Sequence, residues 1–447
     1  MIAARNSKDA PISLVGRHDL RQKGKMFHRR NSRTMRDRRR DVPRKAASAL
    51  FFRLLAPRLV FATCLGAALL SSTTHARAEE PVLQTEQSDI AKLSPAGPHR
   101  ILVMDADYPH AKDGRVYVVD ADAGKLLGMV QAAYNGNMVQ APDGRFFSVA
   151  ETVWSRGNRG DRADLLATYD PSTLTISNDE VLPGRALVTP KANDLAISAD
   201  GGRIYVYDMI PSNAVHVVST ATHMIETNVD IPGCALIYPW GPAGFSSLCA
   251  DGGLSNVTLS AGGAPKVTHT PSFFAPDRDP VFENSPSVAT DGSALFIAYS
   301  GLVYPAKLGA NSTIGTPFSI QETAGMKRAS DASAPFETTW RPGGWQLAAY
   351  HKATGHLYVL MHKGTFWTHK EPGTEVWEID VTARKLVRRI SLPAPSAMIG
   401  VTQDASPLLF TTNETGDFFI LDAATGKLRR KMDRLGTSLV FTLAPGQ

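Results

Sequence analysis

The sequence predicts an all-β fold: a seven-bladed β-propeller of four-stranded antiparallel blades, after a cleaved N-terminal signal segment. Three observations predict it. A strand ending in Asp or a small polar residue, a turn of Ala, Ser, Thr or Gly, and a departing Lys-Leu-like strand recur along residues 100–447. Asp-Gly-type turns open a further strand between these marks. No stretch of useful length carries a helical period. A period of some 40 to 50 residues with several short strands per unit is the signature of a propeller. Each blade has a face it cannot bury alone, so neighbours stack around a ring.

The repeats justify the elements in order. Clear copies are Val116-Tyr-Val-Val-Asp120 before Lys125-Leu126, Leu166-Ala-Thr-Tyr-Asp170 before Leu174, and Val215-His-Val-Val-Ser219 before His223. Val376-Trp-Glu-Ile-Asp380 before Lys385-Leu386 and Phe418-Phe-Ile-Leu-Asp422 before Lys427-Leu428 complete them. Weaker copies lie at residues 254–259 and 303–308. The marks near 120, 170, 219, 257, 307, 380 and 422 number seven, hence the blade count. The long gap from 307 to 380 holds an insertion, residues 321–339. Asp143-Gly144, Asp200-Gly201 and Asp291-Gly292, each between apolar alternations, are hairpin signals. Residues 345–350 and 356–361 read as a hairpin around a turn at 352–355. The strand at residues 100–105 is placed to close the ring beside the last blade.

The formal charge of +6 averages two unlike parts. Residues 1–78 hold eighteen Lys/Arg and four Asp/Glu, a balance of +14; residues 79–447 hold 30 and 38, a balance of −8. The basic part reads as an export signal: an arginine-rich run through Arg36, Arg38, Arg39, Arg40, Arg44 and Lys45, an apolar stretch at residues 59–70, and an Ala76-Arg77-Ala78 cleavage site. That stretch is shorter than the roughly 20 residues of a membrane span, and Thr63 is a poor lipobox residue ahead of Cys64, so no membrane anchor is expected. An export signal beside the basic run argues against a nucleic-acid arm. A start at Met35 would account for the surplus leader, and the general secretory and twin-arginine routes both stay open. Residues 79–99 are polar and aperiodic, an extended arm, and residues 100–447 form the propeller.

Cleavage leaves two cysteines, Cys234 and Cys249. An even pair in an oxidising compartment reads as a disulfide. Closing a loop of that length stabilises by roughly 3 kcal/mol through chain entropy.

The polar residues assemble no familiar catalytic pattern. His351, His356, His362 and His369 cluster in sequence without i, i+4 spacing or a Cys/His knuckle, and read as loop-packing histidines rather than metal ligands. There is no Gly-x-Ser-x-Gly elbow and no Walker or dinucleotide glycine pattern. The aspartates sit where they cap turns.

Several stretches resist that bland reading. Trp340-Arg341-Pro342-Gly343-Gly344-Trp345-Gln346 before a Tyr350-His351 strand end, with Trp367-Thr368-His369-Lys370 downstream, resembles the heavy subunit of quinoprotein amine dehydrogenases. Arg159-Gly160, Arg162 and Asp164 match an Arg-Gly-x-Arg-x-Asp segment of that family. Leu126-Leu-Gly-Met-Val130 before Tyr134-Asn135-Gly136, and Cys234 with Cys249-Ala-Asp-Gly-Gly-Leu254, are similar as well. The resemblance covers essentially all of residues 100–445, and the last two spellings lean toward the aromatic amine branch rather than the methylamine branch.

The resemblance implies a periplasmic heavy subunit with no catalytic residue, metal or cofactor of its own. The cofactor, tryptophan tryptophylquinone, would sit on a small disulfide-rich light subunit in an α2β2 heterotetramer. The reaction would be oxidative deamination of a primary amine to aldehyde and ammonia. Electrons would pass to a blue copper protein of azurin or amicyanin type, or to a cytochrome c. Tyr134, at a position where the family carries Phe, would line the substrate channel with Asn135 and Gly136 shaping its loop. Arg159, Arg162, Asp164, Trp340, Arg341 and Trp345 are the subunit-contact candidates. Two other classes fit a propeller: a stand-alone binding protein of the periplasm, and a lactonase-type hydrolase with a metal in the central channel.

Overall fold

The computed structural model describes residues 91–442 apart from 107–110, 189, 261 and 437–438, with the backbone alone for 439–442. The export signal at 1–78 and the first part of the arm lie outside the described residues. From Leu93 the arm runs without regular structure, and its Leu93 N–H donates to Ser172 O at 2.7 Å.

The described residues are almost entirely β. Their hydrogen bonding groups them into six sheets, a six-bladed β-propeller, and this corrects the expected seven four-stranded blades. The excess mark belongs to the first sheet. It contains β1 (Arg100–Asp105), β2 (Gly114–Asp120), β3 (Lys125–Gln140), β4 (Phe147–Trp154), β5 (Arg162–Tyr169) and β6 (Ile176–Leu182). Asp120 and Asp170 both mark this one sheet. The reason is β3, sixteen residues with no break: its first half pairs with β2 and its second half with β4. Leu102, Val116 and Val118 from one half share a core with Phe147, Val149, Ala167 and Tyr169 from the other.

The C-terminal strand Leu439–Thr442 pairs antiparallel with β1, Met104 opposite Leu439 and Ile101 opposite Thr442, so the two ends of the domain meet in the first sheet. Each remaining sheet shares an apolar core with the next. Val139, Ala150 and Leu166 meet Leu195, Ile204 and Val218. Tyr238 and Leu254 meet Phe296 and Tyr304. Phe410 and Phe418 of the last sheet meet Ile101 and Val119 of the first.

The repeated turn has one device. The strand-end Asp accepts the N–H three residues on, Asp120 from Ala123 at 3.0 Å, Asp380 from Ala383 at 2.8 Å and Asp422 from Thr425 at 2.8 Å. The next residue is left-handed in every clear copy: Gly124, Leu174, His223, Arg384 and Gly426 have φ between 54° and 70°. Glycine takes that conformation freely, whereas other residues are strained in it.

Cys234 and Cys249 face each other in register on adjacent strands and are joined as a disulfide. The hairpin is present as Ala348–His351 paired with His356–Gly364, but Trp345 is not part of it. Its N–H donates to Ala397 O and Gln346 bridges Met398, which carries both residues away from the hairpin toward the next sheet.

Candidate functional site

β3 would be a plain strand but for residues 133–136. Ala133 (φ 37°) and Asn135 (φ 46°) are left-handed without being glycine, and the register with β4 slips between Tyr134 and Asn137. A bulge of this kind re-aims a side chain. Gly136 is sterically required, because a Cβ there would stand 2.5 Å from Ala132 O. The half-buried Tyr134 ring meets Trp154 edge to face at 5.4 Å, and Lys112 Nζ lies 4.7 Å from the centre of the Trp154 ring.

Strand register brings three sequence candidates together. Tyr134 lies opposite Thr152, and Thr152 opposite Asp164, one row across β3, β4 and β5. Thr152 Oγ1 donates to Asp164 Oδ1 at 2.5 Å, and Arg162 donates to the same carboxylate through Nε at 3.1 Å and Nη2 at 2.6 Å. Asp164 is only 7% exposed. Arg159 sits apart, at the exposed tip of the β4–β5 loop, where its carbonyl accepts from Arg156 N.

The residue that sequence reading missed is Arg185. It is 2% exposed. Its Nη2 donates to Tyr134 O at 2.5 Å and Asn135 O at 2.9 Å, and its Nε donates to Thr152 Oγ1 at 3.0 Å. The available signal was a lone charge inside the apolar run Leu182-Pro-Gly-Arg185-Ala-Leu-Val188, since a buried charge needs partners. Burial lowers the Arg185 pKa to about 10, which leaves it protonated at neutral pH. Around it, burial raises Glu151 to about 7, helped by the Asp179 charge, and raises Asp194 to about 7.

The tryptophan candidates form a second group. Trp340 packs on Trp377 at 5.5 Å, with the Arg389 guanidinium 4.5 Å from the centre of its ring. Arg341 is 1% exposed and turned inward: Nη1 donates to Ser330 O at 2.8 Å and Nη2 to Ser330 Oγ at 3.0 Å, which ties the insertion to the strand Thr339–Pro342. Trp345 Nε1 donates to Pro190 O at 3.2 Å, and Trp345 O accepts from Asn284 Nδ2 at 3.1 Å. The structure therefore joins Tyr134, Arg162 and Asp164 into one site and sets Trp340, Arg341 and Trp345 in another.

The innermost strands enclose a cavity of about 370 Å³. Gln140, Asn193, Gln346, Gln403 and Lys352 supply much of its polar lining, and no Asp or Glu lines it. Among the described residues no three His, Cys, Asp or Glu converge in a way that could hold a metal ion. The clustered histidines pack locally: His351 on Thr354, His356 on Glu378, His362 on Thr368, and His369 stacked on Tyr299 at 3.9 Å. No helix among the described residues is long and apolar enough to cross a membrane.

Comparison with known proteins adds to this geometry. The profile of the family described as Methylamine dehydrogenase heavy chain (MADH) matches residues 97–444. The methylamine dehydrogenase heavy chain of Methylobacillus flagellatus is 31% identical over 396 residues, covering 87% of this chain and 96% of its own length. That of Paracoccus versutus is 32% identical over 364 residues, 80% of each chain. Among solved structures, dihydro-heme d1 dehydrogenase NirN aligns with a TM-score of 0.51 at 15% identity, covering 80% of this chain and 78% of its own, a likeness of fold alone. With a family match that spans the propeller from its first strand to its last, the chain belongs to the methylamine dehydrogenase heavy chain family.

Proposed function

We propose that this chain is the heavy subunit of a periplasmic quinoprotein amine dehydrogenase, with the Tyr134 bulge forming one wall of the amine channel at the light-subunit contact. The observation that carries this reading is the bulge itself: a half-buried aromatic on a strained backbone, backed by a fully buried guanidinium. Strained backbone of this kind concentrates at functional sites. Arg159 and Arg162 stand beside it as candidates for docking the partner, since the guanidinium fork suits fixed polar pairing at subunit contacts. Trp340 and Trp345 remain contact candidates, while Arg341 acts from within the chain.

The tryptophan tryptophylquinone belongs in this reading to the light subunit, where it supplies the two-electron oxidation of the amine carbon. The tryptophan pair that does meet here does not fit that role. Trp377 is fully buried, with Nε1 donating to Glu375, and no amine can reach it. This chain's own residues orient and exclude. The Tyr134 ring narrows the entrance, and its Trp154 partner keeps water from one face. The charge of −8 on residues 79–447 favours an electron acceptor with a basic patch, a blue copper protein or cytochrome c, through steering rather than affinity. Methylamine names the curated relatives, whereas the Gly128-Met129-Val130 and Asp251-Gly252-Gly253 spellings favour an aralkylamine.

The test is purification of the chain from its native periplasm, with quinone-redox staining of what accompanies it. A small, stain-positive partner and amine-dependent dye reduction are expected, and an aralkylamine should outrun methylamine in the assay. A monodisperse chain without partner or staining, under conditions where amines are consumed, overturns the reading in favour of a stand-alone binding propeller. The lactonase alternative requires carboxylates converging on the channel, and the cavity lining has none.

A further inference from the structure

We propose that Arg185 is a positioning residue for amine turnover: its guanidinium sets the conformation of residues 133–136 and thereby the attitude of the Tyr134 ring. The proposal rests on the reading of Tyr134 as a channel wall. Three donors of one planar group meet three acceptors from two strands: two successive carbonyls of the bulge, Tyr134 O and Asn135 O, and the Thr152 hydroxyl. Successive carbonyls in a regular strand point to opposite sides. They converge on one nitrogen here because Ala133 and Asn135 are left-handed. Remove the nitrogen and nothing compensates that backbone, so the bulge relaxes toward ordinary strand geometry and the Tyr134 ring leaves Trp154.

The fork is itself held. Thr152 accepts from Arg185 and passes its own proton to Asp164, which Arg162 grips through two bonds. A chain of polar contacts thus runs from the exposed β4–β5 loop, among the docking candidates, to the backbone under Tyr134. Lysine cannot replace this, being a point charge without the planar fork. Displacement of a channel residue by about 1 Å is enough to cost large factors in turnover efficiency.

The experiment uses the complex of this chain with its light subunit, as wild type, Arg185→Lys, Tyr134→Ala and the double variant. It measures kcat and KM for a primary amine at saturating acceptor, and the near-ultraviolet dichroism band of the Tyr134–Trp154 pair, identified as the band that Tyr134→Ala removes. Arg185→Lys should weaken that band and raise KM roughly five- to tenfold with kcat within about twofold, the pattern of lost substrate positioning. The double variant should be no worse than Tyr134→Ala alone, because Arg185 acts through Tyr134. Thr152→Val should repeat the signature at smaller amplitude, and it stands in for Arg185→Lys should that variant not accumulate. Fully additive effects, or an unchanged band and KM in Arg185→Lys beside a changed Tyr134→Ala, overturn the proposal. An unchanged KM in Tyr134→Ala refutes instead the channel reading beneath it. Arg185's hold on the ring is then judged by the dichroism band, which Arg185→Lys must still weaken.

Discussion

Arg185 and Arg341 are the largest fully buried charged side chains among the described residues, and they are buried for different reasons. Arg341 sits in the most recognisable stretch of the sequence, yet its fork faces neutral acceptors, Ser330 O and Ser330 Oγ, with Phe366 at 5.6 Å. It fastens an insertion to a strand. Arg185 sits in an unremarked run, yet Asp164, Glu151 and Asp194 surround it and its fork holds a strained bulge. Prominence in sequence and position at the proposed site do not coincide. A motif can mark an internal fastening, and a lone charge can mark the site.

The largest expected effect tests this contrast directly. Arg185→Met leaves buried carboxylates without their cation and should lower the unfolding free energy by about 3–5 kcal/mol in chemical denaturation. Arg341→Met leaves neutral acceptors unsatisfied and should cost about 1–3 kcal/mol. That loss should be felt first as faster proteolysis within residues 320–339. Equal costs, or a global loss from Arg341→Met, would break the comparison.

A smaller effect sharpens the electrostatic half. Burial holds Glu151 near pKa 7 in the folded chain, against an ordinary value of 4.5. Between those values the unfolded chain loses its proton first, so this group's contribution to stability falls as pH rises from about 4.5 to 7 and stays low above. Glu151→Gln should therefore gain on the order of 2 kcal/mol over wild type at alkaline pH and nothing in acid, read from denaturation midpoints across pH. A gain independent of pH would remove Glu151 from the charge cluster around Arg185.

The smallest effect supplies the control, a left-handed residue with no buried cation behind it. Arg384→Gly, at a repeat turn where φ is 54°, should change stability by less than about 0.5 kcal/mol, because relief of strain and added unfolded-state entropy nearly cancel. Gly426→Ala at the equivalent turn should cost about 1–2 kcal/mol, since the new Cβ takes the left-handed strain and stands 2.9 Å from Ile390 Cγ2. A large change from Arg384→Gly would mean that these turns, like the bulge, depend on more than local backbone.

The sequence by itself determined what depends on near neighbours. The all-β class follows from strand alternation and Asp-centred turns, whose hydrogen bonds close within five residues. Gly136 announces a tight spot for the same reason, since its obstacle, Ala132 O, lies four residues away. Tertiary structure decided everything set by pairing at a distance. Whether Lys125–Gln140 is one strand or two depends on which strands bond to its halves, so the number of sheets was not legible in a count of turn marks. The row Tyr134, Thr152, Asp164 exists only because of register across three strands. Arg185 reaches that row from 51 residues beyond Tyr134. A buried charge is legible only once its partners are known, and those partners are backbone carbonyls, which every residue has and no sequence pattern distinguishes.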